Sequence, residues 1–193
     1  MKTLYLASKS PRRKEILETM GMTFELVSGD CPEIVNDWER PDQVVMSIAL
    51  QKGLSAAKQF NQGELIISAD TIVVSEGRIL GKPKDREDAF KVLKDLSGKR
   101  HEVMTAFSII EAGTFNKVVE YVVTEVTFKD YDDDFINWYL DSGEPFDKAG
   151  AYGIQGKGAL MVEKIDGDYF NVVGFPISKI VDVLKERFNY SFA

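Results

Sequence analysis

Ten consecutive residues, Leu65-Ile-Ile-Ser-Ala-Asp-Thr-Ile-Val-Val74, constrain this chain more than any other stretch. The run is apolar except for Ser68, Asp70 and Thr71, and its length and bulk read as a central strand. A carboxylate in such a strand is costly unless it is paired or held by a metal. Carboxylates in this setting hold cations or act as general bases; the plainer reading is a strand-end Asp that caps a turn.

The rest of the chain supplies helices to flank that strand. Thr3 to Ala7 reads as a short strand, followed by a helix start with Ser10 as N-cap and Pro11 in the first position. Phe24 to Val27 is a second strand. Pro41 to Phe60 is a longer helix with Val45, Ile48, Ala49 and Ala56 on one face. Asp85 to Leu96 is a capped helix, with Ala89, Val92, Leu93 and Leu96 inward. Two strands follow, Val103 to Glu111 and Lys117 to Lys129, with Gly113 at the turn. Asp132 to Leu140 is a helix whose acidic first turn suits the macrodipole, and a helix-capping role explains Asp132-Asp133-Asp134. Ala159 to Ile165 is expected as a strand and Pro176 to Phe188 as a closing helix with Ile177, Ile180, Val181 and Leu184 inward. Strands and helices mix without strict alternation, so the expectation is an α/β fold: a mixed sheet flanked by helices.

With 193 residues, 44% hydrophobic and 28% charged, the chain has the composition of an ordinary globular protein. A net charge of −7 argues against a broad nucleic-acid footprint, which needs Lys and Arg to neutralise phosphates. No apolar run approaches the roughly 20 residues of a membrane span. One cysteine, Cys31, excludes an internal disulfide, and one histidine, His101, excludes a His-based metal cage. The amino terminus lacks the apolar core of a signal peptide, so a cytoplasmic protein is expected.

Several motifs carry chemistry. Ser8-Lys-Ser-Pro-Arg-Arg13 lies at a strand-to-helix junction, where backbone N–H groups and the dipole favour phosphate. Arg12, Arg13 and Ser8 would add charge-assisted bonds there; a capped surface helix with solvated arginines is the alternative. Lys52 falls in register with the apolar face of its helix, as a snorkelling lysine or as a phosphate ligand. Lys82, in Gly81-Lys-Pro83, sits at a rigid turn and is either solvated or presented to a ligand. Glu33 is an exposed acidic loop residue or a second oxygen ligand, beside Asp70, for a hard divalent cation. His101 reads as a structural hydrogen-bonder. In Asp147-Lys-Ala-Gly-Ala-Tyr-Gly-Ile-Gln-Gly156, glycines permit close backbone approach, and the Gln155 amide suits a base edge.

Together these segments resemble the Maf family of nucleoside triphosphate pyrophosphatases. The pieces are Leu6-Ala-Ser-Lys-Ser-Pro-Arg-Arg13, Glu33, Lys52, Ser68-Ala-Asp-Thr71, Gly81-Lys-Pro83, Gly98 to Thr105 and Asp147 to Gly156, in family order and over nearly the whole chain. The resemblance implies a single domain over residues 1–193, with an inosine-triphosphatase-like elongated mixed sheet and two lobes around a nucleotide cleft. It implies hydrolysis between the α and β phosphates, with Asp70 as proton acceptor. Ser8, Arg13, Lys52 and Lys82 match the phosphate-binding set, and Glu33 the acidic part of the site. Arg12, Thr71 and Gln155 match the branch that acts on dTTP and UTP, and modified pyrimidine triphosphates fall within the same expectation. Lys9, where many members carry a small residue, is a minor departure. A divalent cation, magnesium or manganese by its oxygen ligands, and a homodimer are further family expectations. A non-hydrolytic nucleotide-binding regulator of cell division is the competing reading of the same residues.

Overall fold

Parallel strands cannot be joined by a tight turn and need a long crossover between them. In the computed structural model, which describes residues 2–36 and 38–191, that crossover occupies most of the first third of the chain. Strand β1 (Leu4–Ala7) pairs in parallel with β3 (Leu65–Ser75), Leu4 opposite Leu65 and Ala7 opposite Ser68. Between them lie helix α1 (Pro11–Thr19), the short strand β2 (Glu25–Leu26) and helix α2 (Pro41–Ala57). Strand β2 runs parallel to β1 on its other side.

The remaining elements are β4 (Arg78–Leu80), α3 (Arg86–Leu96), β5 (Arg100–Glu111), β6 (Lys117–Phe128), α4 (Asp133–Leu140), β7 (Val162–Asp166), α5 (Tyr169–Val173) and α6 (Ile177–Phe188). The seven strands form one mixed sheet in the order β2-β1-β3-β5-β6-β7, with β4 antiparallel on β3 and β7 antiparallel on β6. The α/β class and the flanked mixed sheet expected from the sequence are the ones found. No helix among the described residues is long and apolar enough to cross a membrane.

The chain divides into two units: Met1–Asp70, Thr105–Val122 and Gly174–Ala193 make the first, Thr71–Met104 and Val123–Val173 the second. In the first, α2 buries Val45, Ile48, Ala49 and Ala56, the face its spacing predicts. Ala56 packs with Ala7, Ile66 and Ala112, and Tyr5 and Phe60 lie against that cluster. Helix α6 buries Ile177, Ile180 and Leu184 as expected, but Val183 and Phe188 complete its face and Val181 lies only partly inside. The core of the second unit gathers Ala89, Leu93 and Leu96 of α3 with Val126, Phe128, Ile136 and Tyr139.

Two local expectations change. Ser10 occupies the N-cap position of α1, yet its side chain makes no capping bond. Instead, the Ser8 hydroxyl accepts the Ser10 N–H, at 3.2 Å. The strand expected from Ala159 begins only at Val162, because Gly156–Met161 coils into 3₁₀ turns. Asp85 and Asp132, in contrast, cap α3 and α4 by accepting the Asp88 and Phe135 N–H groups.

His101 is buried, at 2% exposure, and bonds Tyr152 Oη through Nε2 at 2.8 Å. Its ring meets Phe128 and Tyr152 edge-on. Burial lowers its pKa to about 4 from 6.5. Between those values the unfolded chain binds a proton that the folded chain does not, so stability falls as pH drops through the window. The shift corresponds to a loss on the order of 3 kcal/mol between pH 6.5 and 4. Urea unfolding at stepped pH should show His101→Phe losing that much less over this range than the natural protein. Identical slopes would mean that the imidazole carries no such shift.

Candidate active site

The first unit assembles its charged groups around the end of β1 and the middle of β3. Lys52, three turns into α2, extends its ammonium to Asp70 Oδ1 at 2.7 Å and to Glu33 Oε1 at 2.8 Å. The Asp70 side chain is 17% exposed, that of Lys52 24% and that of Glu33 51%. Burial alone would lower the lysine's pKa, but the charges and hydrogen bonds of Asp70 and then Glu33 outweigh it and raise it. Lys52 is thus a fixed cation serving two carboxylates. This is the partner that the strand carboxylate requires.

Its placement has a local cause. The backbone of α2 approaches β3 and β5 closely because residue 53 has no side chain. A Cβ there would lie 2.3 Å from Ser108 Oγ and 3.0 Å from both Ser68 Oγ and Ile110 Cδ1. The two serine hydroxyls bond one another at 2.8 Å, and Ser68 also donates to the Ala49 carbonyl of α2. Ser68 is two residues from Asp70 on the strand and so shares its face. This buried polar contact sets the depth and register at which Lys52 meets Asp70.

Glu33 comes from the irregular chain after β2. The Gln51 amide grips Ile34 on both sides, accepting its N–H at 3.0 Å and donating to its carbonyl at 2.9 Å. The carboxylate is thereby held beside Lys52, the next residue on α2.

Arg13 enters from α1. Its Nε donates to the Gly174 carbonyl at 2.8 Å, and its Nη1 donates to the Ala69 carbonyl at 2.6 Å and to Ser8 Oγ at 3.2 Å. Desolvation lowers its pKa to about 10, against the pull of Asp70 and with a contribution from Arg12. It stays charged at neutral pH. These three contacts fix the guanidinium in place. Arg12 is half-buried on the same helix.

Ser8, Arg13, Glu33, Lys52 and Asp70 are therefore brought together within the first unit. Thr71, Lys82 and Gln155 belong to the second. Thr71 is half-buried on β3, and Lys82 is exposed just after β4. The Lys82 turn is anchored by its neighbour: the Gly81 carbonyl accepts the Gly150 N–H at 3.0 Å. Gly150 has φ +68° and stands against Val73, where a Cβ would come within 3.0 Å. Gln155 is exposed, between buried Ile154 and the 3₁₀ turns. Sequence reasoning missed Gln51, Gly53 and Ser108, whose roles depend on contacts distant along the chain.

No group of three or more His, Cys, Asp or Glu side chains among the described residues forms a ready metal cage. Asp70 and Glu33 nonetheless offer hard oxygen donors converging on one ammonium, a donor set that fits magnesium or manganese when water or phosphate oxygens complete it.

The family model for Maf-like proteins matches residues 3–187. The chain belongs to this family. It is 49% identical over 185 residues to a protein of Caldanaerobacter subterraneus named dTTP/UTP pyrophosphatase, covering 96% of this chain and 89% of that one. A Clostridioides difficile protein of the same name is 48% identical over 186 residues, covering 96% and 95%. Among solved structures, the Staphylococcus aureus Ham1 protein aligns over 97% of this chain and 98% of its own, with a TM-score of 0.52 and 14% identity. That likeness concerns the fold, and agrees with the inosine-triphosphatase-like sheet expected for a Maf-like chain.

The packing at Gly53 makes a direct prediction. Gly53→Ala overfills the α2–β3 contact and should cost about 1–3 kcal/mol in urea unfolding. Unchanged stability would show that the Ser68–Ser108 contact yields to the added methyl at no cost.

Proposed function

We propose that this protein hydrolyses dTTP and UTP between the α and β phosphates, releasing the nucleoside monophosphate and pyrophosphate. One observation carries the reading. Asp70 is held by Lys52 beside the fixed charge of Arg13, in a chain about half identical to proteins named for this reaction.

Water attacks the α-phosphorus; its oxygen forms the new P–O bond as the bond to the bridging oxygen breaks. The electron pair of that bond leaves with pyrophosphate, and the water proton passes to Asp70. Lys52 engages one carboxylate oxygen, Oδ1, and the carboxylate's second oxygen is suited to take the proton. Arg13 and Lys52 offset the charge growing on the phosphates, with Ser8 holding Arg13 in place and Lys82 extending the phosphate-binding set. Glu33 and Asp70 would hold the divalent cation. When bound, it supplies charge neutralisation and polarisation of a phosphoryl oxygen.

Thr71 and Gln155 are assigned to the base, where the Gln155 amide offers a donor and an acceptor to the edge shared by thymine and uracil. Arg12 completes the branch-specific trio, although nothing in its surroundings explains a pyrimidine preference. A single pyrophosphatase domain over 1–193, a cytoplasmic setting, a homodimer and action on modified pyrimidine triphosphates belong to the same reading.

Pyrophosphate release from a panel of nucleoside triphosphates with magnesium or manganese tests it. Asp70→Asn should bind dTTP but turn it over about 10²–10⁴-fold more slowly. Near-normal turnover would remove Asp70 as the proton acceptor. Binding without turnover in the natural protein would favour the non-hydrolytic regulator. Gln155→Glu should weaken the preference for dTTP and UTP; an unchanged substrate profile takes Gln155 out of base recognition.

A further inference from the structure

The glycine-rich segment that carries Gln155 is not a loose loop. Glu144, at the start of the 3₁₀ turn Glu144–Asp147, directs its carboxylate into it. Oε1 accepts the Gly158 N–H at 3.2 Å and Oε2 the Lys157 N–H at 3.1 Å. Oε1 also accepts from Tyr139 Oη at 3.2 Å, and that phenol oxygen accepts the Gly153 N–H at 3.3 Å. Tyr139 is fully buried. Burial, and then the charge of Glu144, raise its pKa, so it remains a donor. The backbone is therefore tied down two residues before Gln155 and again two and three residues after it.

The glycines fit this clasp. A Cβ at Gly156, where φ is +70°, would lie 2.9 Å from Glu144 Oε2. At Gly158 it would lie 2.2 Å from the Gly153 carbonyl and 2.9 Å from Tyr139 Oη. At Gly153 it would meet the stem of Lys148 at 2.8 Å, and Lys148 in turn donates to the Glu144 carbonyl at 2.7 Å. Three glycines around Gln155 are thus small because Glu144, Tyr139 and Lys148 occupy the space beside them. Bonds from backbone N–H groups to a carboxylate are charge-assisted, about twice as strong as neutral ones. Glu144, Tyr139 and Lys148 each bond the backbone of this stretch, and Gln155 is the exposed amide that it carries.

We propose that Glu144 is a positioning residue for base selection. With Tyr139 it fixes the chain on both sides of Gln155, so that the Gln155 amide meets a pyrimidine edge in one orientation. Glu144 itself touches no substrate. The inference rests on the reading of Gln155 as a base-recognising residue.

The test compares kcat/KM for dTTP with that for dCTP, which differs from dTTP on the base edge. The natural protein, Glu144→Ala, Glu144→Gln, Gln155→Ala and the Glu144→Ala/Gln155→Ala double variant are assayed by pyrophosphate release, with thermal unfolding as a check on folding. Gln155→Ala and Glu144→Ala should each lower the dTTP/dCTP ratio about tenfold, the effect of losing one oriented hydrogen bond. The double variant should be no less selective than Gln155→Ala alone. Glu144→Gln keeps one acceptor oxygen and should lie between; it carries the comparison if Glu144→Ala does not fold. In the Glu144 variants the loss with dTTP should fall on KM more than on kcat.

If Gln155→Ala lowers the ratio and the Glu144 variants leave it unchanged, the positioning role falls and the base reading stands. Additive losses in the double variant would also overturn it, since Glu144 would then act by another route. An unchanged ratio in Gln155→Ala would overturn the base reading, and the positioning role with it.

Discussion

A carboxylate in the middle of a sheet is the demand around which the first unit is organised. Asp70 is tolerated there because Lys52 reaches it, and Lys52 reaches it from a helix that packs close on β3 and β5 at residue 53. The nearness depends on a missing side chain at residue 53 and on two serines that bond each other and the helix carbonyl. The ion pair is short and largely enclosed, so removing either partner strands the other charge. Glu33 and Arg13 are arranged around the same pair through backbone contacts. The unit thus gathers two carboxylates around Lys52, with Arg13 fixed alongside by backbone carbonyls and the Ser8 hydroxyl.

The second unit solves a different problem by related means. It has to hold a glycine-rich segment in place rather than stabilise a charge. It does so with a carboxylate turned inward onto backbone N–H groups. Here the carboxylate meets backbone N–H groups; around Asp70 the carboxylates meet a side-chain cation. Both arrangements use glycine in the same way, as the place where another group's atoms stand in for a side chain.

Much of this was legible in the sequence where the signal was local or periodic. Lys52 announced itself by falling on the apolar stripe of α2, and Asp70 by interrupting an apolar strand. Asp85 and Asp132 announced themselves as caps, and His101 as a structural hydrogen-bonder. What escaped was decided by distant contacts. Ser108 matters because it meets Ser68 across the sheet, and Gln51 because it catches a backbone seventeen residues earlier. The late start of β7 escaped because Gly156–Met161 follows the demands of Glu144 and Tyr139 rather than its own apolar pattern. The inward face of α6 shifted from Val181 to Val183 and Phe188, since two valines two residues apart cannot be ranked by period alone.

The first unit is written in three separated pieces of chain, the last beginning at Gly174. Strand β1 finds its parallel partner some sixty residues on, and Arg13 takes the carbonyl of Gly174 as a hydrogen-bond acceptor. The first strand and helix therefore stay incomplete until the chain has been made as far as Gly174. Contacts of such long sequence separation close late and slowly, because the entropy of the intervening loop is lost before they reward it. The charged cluster around Asp70 is paired within the first seventy residues, yet one support of Arg13, the Gly174 carbonyl, comes only from the last of the three pieces.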